Sequence, residues 1–256
     1  MKEKSQSFSS KRTLVGFVVA TSFALLISAC SSKDDLPSIK QRVDDFNKEM
    51  SSNKNASKMS EQDMAVMKKA AEDLEKTLPD PGLKIGETAP DFTLGNAHGK
   101  PVSLYSKLKE GPVVLIFYRG AWCPYCNIQL HALTESLPTF KKHGAQLVAV
   151  TPQTPDKSLG QVKKDKYPFE ILSDLEYNVA KTYKLYFEVP LELHEFYKKK
   201  FGLDIEVYNG KGRLGLPVPG TFVIGKDGKI VAVHAELDYK QRMEPKAILE
   251  ALKSIK

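Results

Sequence analysis

The sequence predicts an α/β sandwich built around one mixed sheet, preceded by a helical appendage, and three patterns carry that expectation. Val113-Val114-Leu115-Ile116-Phe117-Tyr118 is a short apolar run rich in β-formers, the type that makes a strand buried on both faces. Strand and helix patterns alternate after it. Near the C-terminus, residues 221–224 and 229–233 flank Lys226-Asp227-Gly228, a β-hairpin signal, and an amphipathic helix follows at about residues 244–255. With 41% hydrophobic and 27% charged residues among 256, the composition excludes a collagen-like or wholly disordered chain. Three cysteines are too few for a disulfide-stapled miniprotein.

At the N-terminus, Lys11-Arg12 precede an apolar run from Leu14 to Ile27, interrupted only by Gly16, Thr21 and Ser22. Those fourteen residues as helix span about 21 Å, short of the roughly 30 Å hydrocarbon core. The run therefore predicts a secretory signal over residues 1–29 rather than a membrane span. It ends in Ile27-Ser28-Ala29-Cys30, which resembles the bacterial lipobox. That resemblance implies that Cys30 becomes the first mature residue and carries lipid. The soluble part would then sit outside the cytoplasm, anchored to a membrane of the bacterial cell envelope. Several acyl chains suffice for this, because each buried methylene contributes about 0.8 kcal/mol. Plain secretion with Cys30 idle is the competing reading.

Residues 30–60 are polar and read as a lipidated tether, although Ile39, Val43 and Phe46 recur within them at helical spacing. Residues 61–83 form the helical appendage: Met64, Met67, Ala71, Leu74 and Leu78 keep the helical period until Pro79-Asp80-Pro81-Gly82 breaks it. Residues 84–256 read as one domain. Its middle predicts a helix over about 124–142, a strand over 146–150, a helix over 156–164 and a strand over 169–172. The formal net charge is +7, of which residues 1–29 supply +3. The rest is spread without a basic run beyond Lys198-Lys199-Lys200, so it reads as solvated surface and no nucleic-acid partner is expected.

The chemistry concentrates at Arg119-Gly120-Ala121-Trp122-Cys123-Pro124-Tyr125-Cys126. Two cysteines three apart at the start of a helix face each other across one turn and can close a disulfide. Cys123 stands at the helix entrance, where free amide N–H groups favour negative charge, so its thiol pKa is expected to fall. Pro124 suits a first-turn position, which needs no amide hydrogen. Cys126, one turn in, is expected to be more shielded and to keep the higher pKa. Cys123 then attacks and Cys126 resolves. A zinc site would need four ligands, and no second cysteine pair exists, so no metal and no cofactor are expected. A purely structural disulfide closing so short a loop would constrain the unfolded chain very little. Buried inert thiols fit poorly at a helix entrance behind Trp and Pro.

Trp122-Cys123-Pro124-Tyr125-Cys126 resembles a thioredoxin-fold active site, and the wider chain resembles the AhpC/TSA peroxiredoxin superfamily. The residues that carry the wider likeness are Gly86-Glu87-Thr88-Ala89-Pro90-Asp91-Phe92 at the domain opening and Pro219-Gly220-Thr221-Phe222 with Asp227-Gly228 in the late hairpin. Phe117-Tyr118-Arg119-Gly120, Asn127, Gln129, Leu130 and Thr151-Pro152-Gln153-Thr154 match the peroxiredoxin-like branch. The likeness implies a thioredoxin-like fold with a central mixed sheet flanked by helices. Mainstream peroxiredoxins place Pro seven and Thr three residues before the reactive cysteine; here those positions hold Ile116 and Gly120. Arg119 can supply a guanidinium to thiolate and peroxide if it points inward, and is a surface ion-pair residue if it does not. The late hairpin lacks the arginine many peroxiredoxins carry there. Pro219 resembles the cis-proline of thioredoxin folds, beside the disulfide.

Two activities follow from one dithiol. A thiol-dependent peroxidase would reduce hydrogen peroxide or organic hydroperoxides, with a thioredoxin-like or membrane-delivered dithiol as electron donor. A thiol–disulfide oxidoreductase would act instead on protein disulfides. The superfamily signatures favour the first; the absent threonine, the Trp-Cys-x-x-Cys geometry and Pro219 favour the second. The peroxidase is the preferred expectation. The long segment 183–216 is read as lining the substrate approach or as a plain excursion. Its Phe187, Phe196, Tyr197, Phe201 and Tyr208 fit a homodimer surface or a small satellite core.

Overall fold

The apolar run at 113–118 becomes an interior strand because the chain covers both of its faces. The computed structural model describes residues 35–53 and 59–255. In chain order the first elements are α1 (Ile39–Ser52), α2 (Glu61–Thr77), β1 (Thr93–Asn96), β2 (Pro101–Ser103), α3 (Leu104–Glu110), β3 (Val113–Phe117), α4 (Pro124–Lys141) and β4 (Gln146–Thr151). They continue with α5 (Pro155–Asp165), β5 (Glu170–Ser173), α6 (Asn178–Thr182), β6 (Tyr186–Glu188), α7 (Leu191–Phe201), α8 (Glu206–Asn209) and β7 (Gly215–Pro217). The late hairpin β8 (Gly220–Ile224) and β9 (Ile230–Ala235) and the terminal helix α9 (Pro245–Ser254) complete the chain.

Seven strands form one mixed sheet in the order β2-β1-β5-β4-β3-β8-β9. β3 pairs in parallel with β4 and antiparallel with β8, and β4 pairs in parallel with β5. Side chains of β3 alternate between two cores, as a strand's period of two requires. Val114 and Ile116 meet Leu130, Leu133 and Phe140 of α4 and Ile248 and Leu252 of α9. Val113, Leu115 and Phe117 meet Leu104 and Leu108 of α3, Val179, and Tyr183. This mixed sheet with flanking helices is the arrangement that the resemblance implied. In the hairpin turn Gly228 has φ +80°, and a Cβ there would press to 2.8 Å from the Tyr105 hydroxyl, so the Asp-Gly signal marks a position that needs glycine.

One region differs from expectation and a second takes one of its expected forms. Residues 39–52, assigned to the polar tether, form α1, and Ile39 and Val43 are buried against Ala132, Ile128 and Tyr125. Ser38 caps α1 by accepting from Gln41 N–H at 3.1 Å. The Ile39 and Lys40 amides donate to the Glu244 carboxylate at 3.0 and 2.7 Å, which satisfies donors that a helix start leaves open. Polar composition dominated the sequence reading there, but three apolar residues on one face were enough to dock the helix. The second region is 183–216. It is a folded excursion in which β6 and β7 pair antiparallel, and Val189, Leu193, Ile205, Leu214 and Leu216 make a satellite core. Phe187, Phe196 and Tyr197 pack on that core, as do Val66, Met67 and Ala70 of α2. Among the described residues no helix is long and apolar enough to cross a membrane.

Candidate active site

β3 and β4 run in parallel and end on the same side of the sheet, where open α/β sheets bind their ligands. The chain leaving β3 carries residues 118–122, and Cys123 is the N-cap of α4, with Pro124 in the first turn. A closed ring of amide hydrogen bonds holds this loop. Gln153 Oε1 accepts from Ala121 N–H at 2.8 Å, and Asn127 Nδ2 donates to the Ala121 carbonyl at 2.8 Å. Gln161 links the two sides, donating to Asn127 Oδ1 at 3.1 Å and accepting from the Tyr118 hydroxyl at 2.9 Å and from Gln153 at 3.4 Å. Gln153 and Gln161 are buried, so the ring fixes the loop with satisfied polar groups rather than at their expense. Gly120 has φ +151°, and a Cβ on it would lie 2.5 Å from Trp122 Nε1 and 3.3 Å from Gln153 Oε1. The threonine of mainstream peroxiredoxins therefore has no room here. Trp122 fills its place.

Both sulfurs are thiols buried beneath this loop, Cys123 with 1% and Cys126 with 0% of its surface exposed. Their charges differ from the sequence expectation. Burial pushes the Cys123 thiol up, and its hydrogen bond to Cys126 pushes it further, which outweighs the attraction of Arg119 and Arg242. Burial also opposes ionisation of Cys126, but the hydrogen bond from Cys123 and the Arg242 and Arg119 guanidiniums pull it down to about 5. The helix-entrance argument placed the low pKa on Cys123. In the folded protein desolvation overrides the weak field of a helix end, and the cations gather at the inner sulfur. The two sulfurs thus titrate as a pair whose first proton leaves well below the ordinary thiol value, with Arg242 drawing the charge towards Cys126.

Arg119 points inward, with 6% exposure. Its guanidinium lies 4.9 Å from the Trp122 ring centroid and 4.5 Å from that of Tyr239, a cation–π sandwich. Burial opposes its charge, and Cys123, Tyr197 and Cys126 favour it, leaving its pKa above the ordinary guanidinium value. Arg119 Nε and Trp122 Nε1 are buried donors without a partner among the described residues, a costly state that an incoming oxygen acceptor relieves. Arg242 approaches from the other side, its Nη2 3.7 Å from Cys126 Sγ and its Nη1 donating to the Tyr239 and Gln241 carbonyls. Tyr125 is braced by α1: its hydroxyl donates to Asn47 Oδ1 at 2.7 Å, and its ring packs edge-on against Phe46 at 5.5 Å and Tyr239 at 5.5 Å.

Of the residues singled out in sequence, Cys123, Cys126, Arg119, Trp122 and Tyr125 converge here, while Pro124 forms the exposed shoulder of the helix. Pro219 lines a cleft of about 470 Å³ that Arg119 and Tyr239 also line. Cys30 lies outside the described residues. Arg242, Tyr239 and Gln161 were missed, and Tyr118, Asn127 and Gln153 carried a signal only as family-matching residues without an assigned role. The loop after β9 delivers Arg242 to the inner sulfur.

A family model described as "AhpC/TSA family" matches residues 85–233. "Peroxiredoxin Q, chloroplastic" from Sedum lineare is 35% identical over 169 residues, covering 66% of this chain and 75% of that protein. "Peroxiredoxin Bcp" from Escherichia coli (strain K12) is 28% identical over 171 residues, covering 67% and 96%. The crystal structure of "Peroxidoxin BcpB" from Mycobacterium tuberculosis shares the fold, with a TM-score of 0.54 at 24% identity over 68% of this chain and 99% of that one. α1 and α2 precede the matched residues. With the family model spanning more than half its length, this chain belongs to the AhpC/TSA family of peroxiredoxins.

Proposed function

We propose that this thiol-dependent peroxidase works through a one-proton pair in which Cys123 attacks and Cys126 first serves as base and then resolves. The supporting observation is the pair itself: two buried sulfurs one helical turn apart, with the Arg242 guanidinium 3.7 Å from Cys126 Sγ and the buried Arg119 beside them. As a hydroperoxide docks on the unpartnered Arg119 and Trp122 donors, Cys123 gives its proton to the Cys126 thiolate. The Cys123 thiolate attacks the terminal peroxide oxygen; an S–O bond forms, the O–O bond breaks, and the leaving alkoxide takes the proton from Cys126. The Cys126 thiolate then displaces hydroxide from the sulfenic acid, giving a disulfide, and the hydroxide becomes water on protonation. A thioredoxin-like dithiol returns two electrons by exchange. Action on protein disulfides fits less well, because a sulfur with 1% exposure is reached more readily by a peroxide than by a protein. Stopped-flow mixing of the reduced protein with hydroperoxide is expected to give a rate constant orders of magnitude above free cysteine. A rate equal to that of free cysteine overturns the reading.

We further propose that the chain is a lipid-anchored envelope protein. The basic Lys11-Arg12, the short apolar run and Ile27-Ser28-Ala29-Cys30 support this. An oxidising envelope keeps such a pair as a disulfide unless a reductant opposes it, so the donor would be delivered through the membrane. Cys30→Ala is expected to abolish fatty-acid labelling and move the chain to the soluble fraction. Labelling that persists in that variant overturns the anchor.

A further inference from the structure

We propose that Asn47 and Phe46 of α1 are positioning residues for the peroxidase site: they fix Tyr125, Tyr125 fixes Tyr239, and Tyr239 fixes the two guanidiniums beside the sulfurs. The inference rests on the peroxidase reading and adds to it a helix outside the family match, since α1 ends before residue 85.

Placement is the first argument. Ile39, Val43, Phe46 and Asn47 share one face of α1, at helical spacing. Arg42 meets Glu135 and Asn47 meets Tyr125, so α1 runs antiparallel along α4. Its last turns therefore arrive at the helix entrance that carries the cysteines. Burial, and then the charge of Cys123, push the Tyr125 hydroxyl pKa up, which keeps it a donor to Asn47 around neutrality.

Continuity is the second argument. The Tyr125 hydroxyl reaches Asn47 Oδ1 at 2.7 Å, and its ring meets those of Phe46 and Tyr239 edge-on, each at 5.5 Å. Such ring pairs are directional, so each orients the next. The Tyr239 ring lies 4.5 Å from the Arg119 guanidinium, and the Tyr239 carbonyl accepts from Arg242 Nη1. One residue thus touches both cations, Arg119 through its ring and Arg242 through its main chain. Tyr239 lies in the loop after β9, outside helix and strand, so its neighbours set its place.

Anchorage elsewhere makes the inference testable. The first turn of α1 is held by the Glu244 carboxylate, and Arg42 pairs with both oxygens of Glu135 at 2.9 and 2.6 Å. Ile39 and Val43 are buried. Loss of the Asn47 contact alone leaves α1 docked.

The full chain is compared with Asn47→Ala, Tyr125→Phe, the double variant and Arg42→Ala. Each is measured for kcat/KM with hydroperoxide, for the midpoint of iodoacetamide alkylation against pH, and for melting temperature. Asn47→Ala and Tyr125→Phe break one hydrogen bond from its two ends. Each is expected to lower kcat/KM about threefold to tenfold, the scale of one neutral hydrogen bond. Each should also raise the alkylation midpoint, because looser guanidiniums stabilise thiolate less. The double variant is expected to match either single one. Arg42→Ala, which loosens α1 away from the sulfurs, should leave rate and midpoint at their native values. If Asn47→Ala and Tyr125→Phe change only the melting temperature, α1 is a brace and the proposal is overturned. Additive losses in the double variant overturn the route through Tyr125. A native rate equal to that of free cysteine removes the peroxidase reading alone, and the alkylation midpoints then decide by themselves whether α1 sets the two cations.

Discussion

Cys126→Ser is expected to consume one equivalent of hydroperoxide and stop, leaving a sulfenic acid on Cys123 that dimedone traps, whereas Cys123→Ser consumes none. The asymmetry follows from placement. Cys123 is the N-cap sulfur next to Arg119, and Cys126 lies one turn inside, wholly buried in the core with Leu130 and Tyr118. Losing Cys126 removes both the resolving sulfur and the base. The first turnover should therefore slow about a hundredfold at neutral pH, the scale of a general base. The pH profile separates the two roles. In the native pair the first proton leaves at about 5, so reactivity is flat around neutrality and falls as pH drops through that value. In Cys126→Ser the remaining thiol is raised by burial, so reactivity climbs through the alkaline range instead. Quenched-flow peroxide consumption with mass spectrometry reads both. A native profile that titrates near 8.5, or a Cys123→Ser variant that still turns over, reverses or removes the assignment.

What the sequence disclosed is what short-range physics determines. The run at 113–118 announced a strand covered on both faces, and Asp227-Gly228 announced a turn, because each depends on neighbouring residues alone. The Cys-Pro step at 123–124 marked a helix start for the same reason. β1 and β2 were not anticipated: they are short, partly exposed strands whose place is set by pairing with β5 and each other. The charges of the sulfurs were legible only halfway. A helix end is a local feature and could be read, but Arg242 reaches Cys126 across 116 residues of chain, and nothing in its surroundings, Lys240-Gln241-Arg242-Met243, distinguishes it from surface. Gln161 was hidden similarly, in a helix whose composition is that of solvent-facing sequence. Its role exists only because Tyr118, Asn127 and Gln153 meet at one point. The tether was misjudged because polar residues outnumber the three that dock α1. Packing responds to the face, not to the average.

Arg242→Gln is expected to move the pair's acid midpoint up from about 5 by about one to three pH units, the effect of removing a guanidinium close to an ionisable group. Reactivity would fall about tenfold near pH 5.5 and hardly at pH 8, where the pair ionises in either protein. The reason is division of labour between two cations. Arg119 lines the cleft and, in the proposed mechanism, would hold the hydroperoxide, so its loss would lower rate at every pH. Arg242 is not among the residues lining the cleft; its Nη2 lies 3.7 Å from Cys126 Sγ and its Nη1 is held by the Tyr239 and Gln241 carbonyls. It is a positioning residue that acts through the charge it stabilises. Arg242→Lys keeps the charge without the planar fork, so it should recover part of the acid-side reactivity and less of the thermal stability. Iodoacetamide alkylation across pH 4–9, run beside thermal melts, separates the roles. If Arg242→Gln lowers the melting temperature but leaves the alkylation midpoint unmoved, Arg242 merely braces the loop at 236–244, and the low pKa of the pair must come from Arg119 and the Cys123 hydrogen bond.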